Sequence, residues 1–466
     1  MKIRLSLVML SIIVSLLCAN TVLFAVEINV PEDQPTIQDG ILMAKDGDTI
    51  LVAAGIYEGK GNVNVDFGGK QITVRSISGA ENTIIDCGEI QDTRGFVFNK
   101  GESAATILDG FTIKNGVHKE GAGIFINSAS PTIRNCIITE NSAGDSANYS
   151  GKGGGIYCFD SNAFIEGCTI TRNFVGSRFG GGGIYLGGES NFSNSRAELI
   201  LLNCDISDNT GHGVYSKGYV TVTIQGCTVS KNTMRGIVCT ANYARSINLI
   251  TNSRIEQNME GGVEVSEETV LNITKSIIRK NSARSGAGIS CSRTCTLYVS
   301  DCVITDNIAD NYGGGLGIET WSGKVTISHT TITGNTSRRI GGGIYFGAVP
   351  TERLRMTIKD SIVWGNRSDG SYDELALSGS AIVIKNSDIR GGLEGIGREA
   401  EPNRLTYTDN IDEDPLFIDP ENGDFRLMEN SPAAAMGANP IFSVAGPLTV
   451  TAKGKRISKW AEFKRR

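Results

Sequence analysis

A repeat constrains this chain more than any other feature. A glycine followed by an aliphatic residue recurs at Gly123-Ile124, Gly155-Ile156, Gly183-Ile184, Gly213-Val214, Gly236-Ile237, Gly262-Val263, Gly288-Ile289, Gly315-Leu316 and Gly343-Ile344, in steps of 23 to 32 residues. Between these pairs runs a second pattern, aliphatic-x-x-[C/S/T]-x-[I/V]-x-x-N, as in "IEGCTITRN" and "VSDCVITDN". It closes on Asn141, Asn173, Asn209, Asn232, Asn258, Asn281, Asn307, Asn335 and Asn366. A recurring unit of this size means stacked elements, none of which buries its apolar face alone.

Each unit carries three short alternating runs, such as "GIYCF", "AFIEG" and "CTITRN". Alternation over so few residues predicts strands, and three strands with three turns make one coil of a parallel β-helix. Along "CTITRN", Cys168 and Ile170 share one face and Thr169 and Thr171 the other. The Cys/Ile face recurs in every unit and is assigned to the bore. The glycines are expected where the chain turns into a new coil, through positive φ or close approach to the coil beside it. A phosphate-binding loop is excluded, because these glycines open strands, many times over. The nine asparagines fall at equivalent turns, about 4.8 Å apart by strand spacing, and are expected to form a hydrogen-bonded ladder.

The expected organisation is a signal peptide at 1–25, an N-terminal cap at 26–57, the β-helix at 58–392, an irregular C-terminal capping segment at 393–440 and a basic tail at 441–466. The cap contains "PTIQDGILMAK", a short amphipathic helix with Ile37, Ile41 and Ala44 on one side. The signal reads from Lys2, Arg4 and the apolar run Leu5–Leu17, too short to span a bilayer, with cleavage after Ala25. This predicts a secreted, periplasmic or cell-surface protein, not integral to the membrane once the signal is removed. Residues 1–25 carry Lys2 and Arg4 and no acid, so removing them leaves 42 basic and 50 acidic residues. Seven Lys/Arg lie in the last 14 residues, so the body is strongly acidic and no nucleic-acid groove is expected. The tail reads as a solvated terminus.

The repeats, together with the opening "VPEDQPTIQDGILMAKDGDTILVAAGIYEG" and the ending "DEDPLFIDPENGDFRLMENSPAAAMG", resemble secreted bacterial right-handed parallel β-helix proteins of the pectate-lyase-like and pectin-methylesterase-like kind. The resemblance covers roughly residues 26–440. It implies an all-β, single-stranded right-handed parallel β-helix of about twelve coils with a short N-terminal capping helix. It also implies a polysaccharide or cell-surface glycan as partner.

Candidate chemistry is sparse. Cys136, Cys168, Cys204, Cys227 and Cys302 share one inward register and Cys158, Cys239 and Cys291 a second, so they read as small core residues with free thiols. Cys291 and Cys295 form another candidate pair. "GHGV" at Gly211–Val214 resembles the His-containing motif of polygalacturonases, but that family's Asn-Thr-Asp, paired-Asp and Arg-x-Lys motifs are not evident in matching order, so His212 reads as a turn residue. "QDT" at Gln91–Thr93 echoes a pectin methylesterase motif without that family's later motifs. In polysaccharide-acting relatives, acid and base groups stand on the outward face of the "CTITRN" sheet. The only charged patch there is Asp205, Arg254, Glu256 and Arg279, with the two carboxylates two coils apart, roughly 10 Å, near the upper limit for an inverting pair. The acidic run "TDNIDEDPLFIDPENGD" fits no EF-hand spacing. No metal or cofactor is expected, calcium being the one ion this run would suit.

The expected function is that of an exported, non-catalytic β-helix presenting a surface to glycans or the cell envelope. The alternative is a polysaccharide lyase or glycoside hydrolase acting on acidic polysaccharide through the Asp205–Arg279 patch.

Overall fold

The computed structural model describes residues 25–144, 151–188, 197–241, 246–347, 354–378, 381–398 and 404–438. The chain winds into a right-handed parallel β-solenoid of about 12 turns. Each coil gives one strand to a 13-stranded parallel sheet, such as Thr169–Thr171, and two to a 26-stranded sheet, such as Ile156–Phe159 and Asn162–Glu166. The large sheet is continuous because Ile289–Ser300 and Leu316–Ser328 run through the corner that divides it elsewhere.

Register explains the bore. Ile138, Ile170, Ile206 and Val229 pair in one column and all are fully buried. One apolar cluster runs from Val30 to Ile396, so burial along the axis holds the coils together at ~25 cal/mol per Å² of apolar surface. The inward cysteines belong to a column of small side chains that continues with serine and threonine. Cys136 N–H donates to Cys168 Sγ at 3.4 Å, Cys227 N–H to Ser253 Oγ at 3.2 Å and Ser361 N–H to Ser387 Oγ at 3.2 Å. Burial pushes the Cys158, Cys239 and Cys302 thiols up to about 12. Cys291 and Cys295 form a disulfide, while eight other cysteines among the described residues are free and buried.

The two roles expected of glycine separate in space. A Cβ on Gly183 would lie 2.5 Å from the Gly213 carbonyl oxygen, so the glycine before each aliphatic residue serves close approach. Positive φ sits instead at the corners, often on other residues: Arg172, Asp208, Lys231 and Gln257, each just before a ladder asparagine, have φ between 54° and 59°.

The asparagine ladder is continuous. Each Nδ2 from Asn141 to Asn335 donates to Oδ1 of the next asparagine at 2.9–3.0 Å, and each backbone N–H donates to the same oxygen. Asn366 has no following asparagine and donates instead to Glu374 Oε2 at 2.6 Å.

The N-terminal end is closed by the helix Ile37–Met43. Thr36 caps it, accepting from Asp39 N–H at 3.1 Å. Ile37, Gly40 and Ile41 face the bore, and Lys70 Nζ donates to the carbonyls of Ile41, Leu42 and Ala44. At the other end a further strand, Arg404–Thr408, pairs with Ala381–Lys385. Residues 412–438 then run back as a strap over the outer face of the 13-stranded sheet. Phe425 and Ala438 pack on Ile277 and Val303, Gly437 N–H donates to the Asp360 carbonyl at 2.9 Å and Ala438 N–H to Thr331 Oγ1 at 3.1 Å. The signal segment and the basic tail lie outside the described residues, except for Ala25. Among the described residues no helix is long and apolar enough to cross a membrane.

Candidate functional site

Two hollows stand on different outer faces. The first contains the charged patch expected from the sequence. Asp205, Thr228, Arg254 and Ile277 form one outward column of the 13-stranded sheet, and Ser207, Ser230, Glu256 and Arg279 the next. Asp205, Arg254 and Glu256 converge on a notch of about 290 Å³, also lined by Asn203, Gly226 and Thr228. Arg279 stands beside Glu256, donating from Nε at 2.6 Å, and both are largely buried. One edge of Asp205 is open to solvent, yet the notch walls desolvate its carboxyl and raise its pKa, and Asp208 adds to the effect. Desolvation lowers the pKa of the Arg254 guanidinium, and the Arg279 charge reinforces this against the opposing pull of Glu256. Glu256 is tied as an ion-pair partner, while Asp205 faces the opening.

The second hollow, about 520 Å³, lies on the large sheet, and the sequence reading did not single it out. Its origin is a column of outward aromatics one residue after the inward aliphatic. Phe125, Tyr157, Tyr185 and Tyr215 stack nearly parallel, their ring centroids 5.3, 5.4 and 5.9 Å apart. The next positions in register are Val238 and Glu264. The smaller side chains leave a cleft, walled by Arg178 and Phe179 on one side and by Met234 and Arg235 among the others. The signal was present in the sequence as the point where the aromatic run ends.

His212 lies in this cleft with both ring nitrogens engaged by backbone groups. It is 6% exposed, its Nε2 faces the Arg178 carbonyl at 3.0 Å and its Nδ1 accepts Arg235 N–H at 3.2 Å. These partners fix Nε2 as the protonated nitrogen, and burial lowers the ring pKa to about 4. Two cleft carboxylates are held closely, Glu264 by Arg235 at 2.6 Å and Glu267 by Arg293, while Glu260 lies 3.9 Å from Arg178 with both side chains exposed. Two further groups line the hollow. Phe179 is 71% exposed, and the half-buried Lys217 side chain has no hydrogen bond or ion pair among the described residues. Among those residues no group of three or more His, Cys, Asp or Glu side chains is arranged to hold a metal ion.

The family described as right handed beta helix region matches residues 182–350. No curated protein matches the chain. Among solved structures, the Dettilon tailspike protein aligns at 14% identity over 77% of this chain and 68% of its own, with a TM-score of 0.41. Pectate lyase Pel9A aligns at 14% identity over 85% and 84%, with a TM-score of 0.33. The A-module of the Azotobacter vinelandii mannuronan C-5 epimerase AlgE6 aligns at 10% identity over 78% and 91%, with a TM-score of 0.32. These likenesses concern the fold alone. On its own coil register and on the matched region together, the chain is a right-handed parallel β-helix.

Proposed function

We propose that this protein is an exported, non-catalytic β-helix that holds a glycan of the surroundings or the cell envelope in the cleft beside Tyr215. One observation carries the reading. The cleft's histidine and two of its glutamates, Glu264 and Glu267, are held by close neighbours, while an exposed aromatic ring, Phe179, and a half-buried cation, Lys217, without an ion pair among the described residues, line the hollow. A ring and a few polar groups around a preformed hollow suit a sugar, whose apolar face stacks and whose oxygens take hydrogen bonds. A hydrolase needs a carboxyl group free to act on its substrate, and two of the three glutamates of this cleft, Glu264 and Glu267, are held in close ion pairs.

The test is a titration of neutral and uronate oligosaccharides by calorimetry, beside assays for new reducing ends and for ultraviolet-absorbing unsaturated ends. Binding without either product is expected, weakened about tenfold or more by Phe179→Ala or Lys217→Ala. Turnover of any of these glycans, or binding indifferent to both substitutions, overturns the reading. Export is tested separately, by mass spectrometry of the N-terminus of protein recovered outside the cytoplasm, with Val26 the expected first residue.

A further inference from the structure

The outward column that begins at Asp205 runs on through Thr228, Arg254, Ile277, Val303, Thr331 and Ile362 to Asp388. Asp205 is exposed, whereas Ile277, Val303, Thr331, Ile362 and Asp388 are all buried. The strap makes the difference. Phe425 and Ala438 cover Ile277 and Val303, and a Cβ on Gly437 would fall 2.7 Å from Ile362 Cδ1. Apolar side chains and a threonine suit such a cover. A carboxylate does not.

Asp388 lies where the strap leaves the last coil. Glu413 N–H, at the root of the strap, donates to its Oδ1 at 3.3 Å. Its Oδ2 is sealed from water and has no hydrogen-bond partner among the described residues. The surroundings do not offset a charge there. The root brings three carboxylates, Asp412, Glu413 and Asp414, and the strand Arg404–Thr408 brings the Tyr407 phenol. On the neighbouring coil Ile362 stands in register with Asp388. The Asp360 carboxylate before it is held by Asn386 Nδ2 at 2.7 Å, with Lys359 at 3.7 Å and His329 at 3.8 Å. On Asp388's own side, Arg390 is exposed and lies over the Trp364 ring at 5.9 Å. Burial pushes the Asp388 carboxyl up to about 7, and the three carboxylates of the root reinforce this against the Glu413 N–H.

Ionised, Asp388 is a buried charge facing three like charges. Lifting the root of the strap admits water and draws those charges away. The closed strap therefore binds the proton more tightly than an open one, in which an aspartate titrates near ~4. Closure is favoured fully below pH ~4, loses about tenfold per pH unit as pH rises to 7, and levels off above.

We propose that Asp388 is a pH-sensitive latch: protonated, it lets the strap seal the outward column from Ile277 to Ile362, and ionised, it releases the strap from that face. The latch lies away from the cleft at Tyr215 and stands independently of it.

The test is hydrogen exchange of the full chain from pH 5 to 8, in buffer free of divalent cations, read by mass spectrometry with labelling times scaled for the intrinsic rate at each pH. Peptides of the strap are compared with the strands Val303–Thr305 and Ile362–Trp364 beneath it. From pH 5 to 7.5 strap protection is expected to fall at least tenfold more than that of these strands, and to return when the pH is lowered. Asp388→Asn, neutral and of the same shape, keeps the strap protected throughout. Converting Asp412, Glu413 and Asp414 together to their amides removes the like charges, so the loss is smaller and levels off at a lower pH. Glu374→Gln, which removes a different buried carboxyl, leaves the response of the strap in place. Strap protection that does not change with pH overturns the proposal, as does an equal fall in Asp388→Asn. Strands that lose protection in step with the strap overturn it too, because the coils rather than the latch are then giving way.

Discussion

Removing one rung from the middle of the asparagine ladder tests the central structural claim. In Asn258→Ala, the side chain lost is fully buried. Its Oδ1 accepts from Asn232 N–H at 3.1 Å and from Asn232 Nδ2 at 3.0 Å. Its Nδ2 donates to Asn281 Oδ1 at 3.0 Å and to the Val229 carbonyl at 3.1 Å. Deletion strands two donors on Asn232 where water has no access. At ~1–3 kcal/mol for each buried group left unmade, the expected cost is about 4 kcal/mol. Asn141→Ala is the internal control. Asn141 Oδ1 accepts only from Gly116 N–H, at 2.9 Å, so one donor is stranded and about half the cost follows. Urea unfolding followed by circular dichroism gives both values, and hydrogen exchange at the Asn232 amide shows whether the damage is local, as expected for stacked repeats. A cost below ~1 kcal/mol for Asn258→Ala, or equal costs for the two variants, would refute the idea that the ladder works by keeping buried polar groups paired.

Three further outcomes follow from other features. Burial raises the Glu374 carboxyl to about 7 despite its hydrogen bonds from Asn366 and Gly365. The folded state thus binds this proton more tightly than the unfolded chain, so its stabilising contribution is complete below pH ~4.5 and is lost as pH rises through 7, by about 3 kcal/mol; urea midpoints measured from pH 4 to 8 should fall accordingly, and Glu374→Gln should flatten that slope. Replacing Cys291 and Cys295 together by serine opens a short loop, their sequence separation being 4, and is expected to lower stability by ~2 kcal/mol on the chain-entropy view, checked by thermal unfolding with and without reductant. Gly183→Ala places a methyl 2.5 Å from the Gly213 carbonyl oxygen and 2.9 Å from Ile206 Cγ2, and should cost ~1–3 kcal/mol by overpacking, read as a lowered urea midpoint.

The inside of this molecule was legible in the sequence because every coil repeats the same physical problem. Ile170, Ile206 and Val229 must each fill the bore, and Asn173, Asn209 and Asn232 must each close the same turn, so the signal accumulates over nine units. The division of labour among glycines was less legible. Close approach at Gly183 and positive φ at Gly153 look alike as letters, and neighbouring carbonyls decide between them. The placement of Asp205, Arg254 and Glu256 on one outward face followed from strand alternation. Their setting did not, because the notch depends on Asn203 standing between two glycines and on the strap covering Ile277, a contact about 150 residues away in the chain. The cleft at Tyr215 was missed for a related reason. An outward column carries no requirement to repeat, so the change from Tyr215 to Val238 reads as ordinary surface variation until the register is known.

The end of the ladder shows how a repeating device dictates a non-repeating one. Every asparagine from Asn141 to Asn335 gives one amide proton and its backbone N–H to the next rung, and Nδ2 also donates to a main-chain carbonyl, so the ladder has a direction and its last member must face an acceptor. Val363 pairs with Ile389, and counting on three places puts the rung after Asn366 at Gly392, which has no side chain to offer. The coils continue beyond that point, so solvent does not fill the gap. Glu374 fills it from within the same coil. Only 4% exposed, it accepts from Gly365 N–H at 2.8 Å, from Asn366 N–H at 3.2 Å and from Asn366 Nδ2 at 2.6 Å. An acidic side chain in so apolar a place is costly by itself, and the stacked donors behind it supply the compensation. Where such a ladder runs out inside a continuing β-helix, a buried carboxylate or amide near the following turn is the residue to look for, and in this chain the Glu374 position follows from the polarity of the nine asparagines before it.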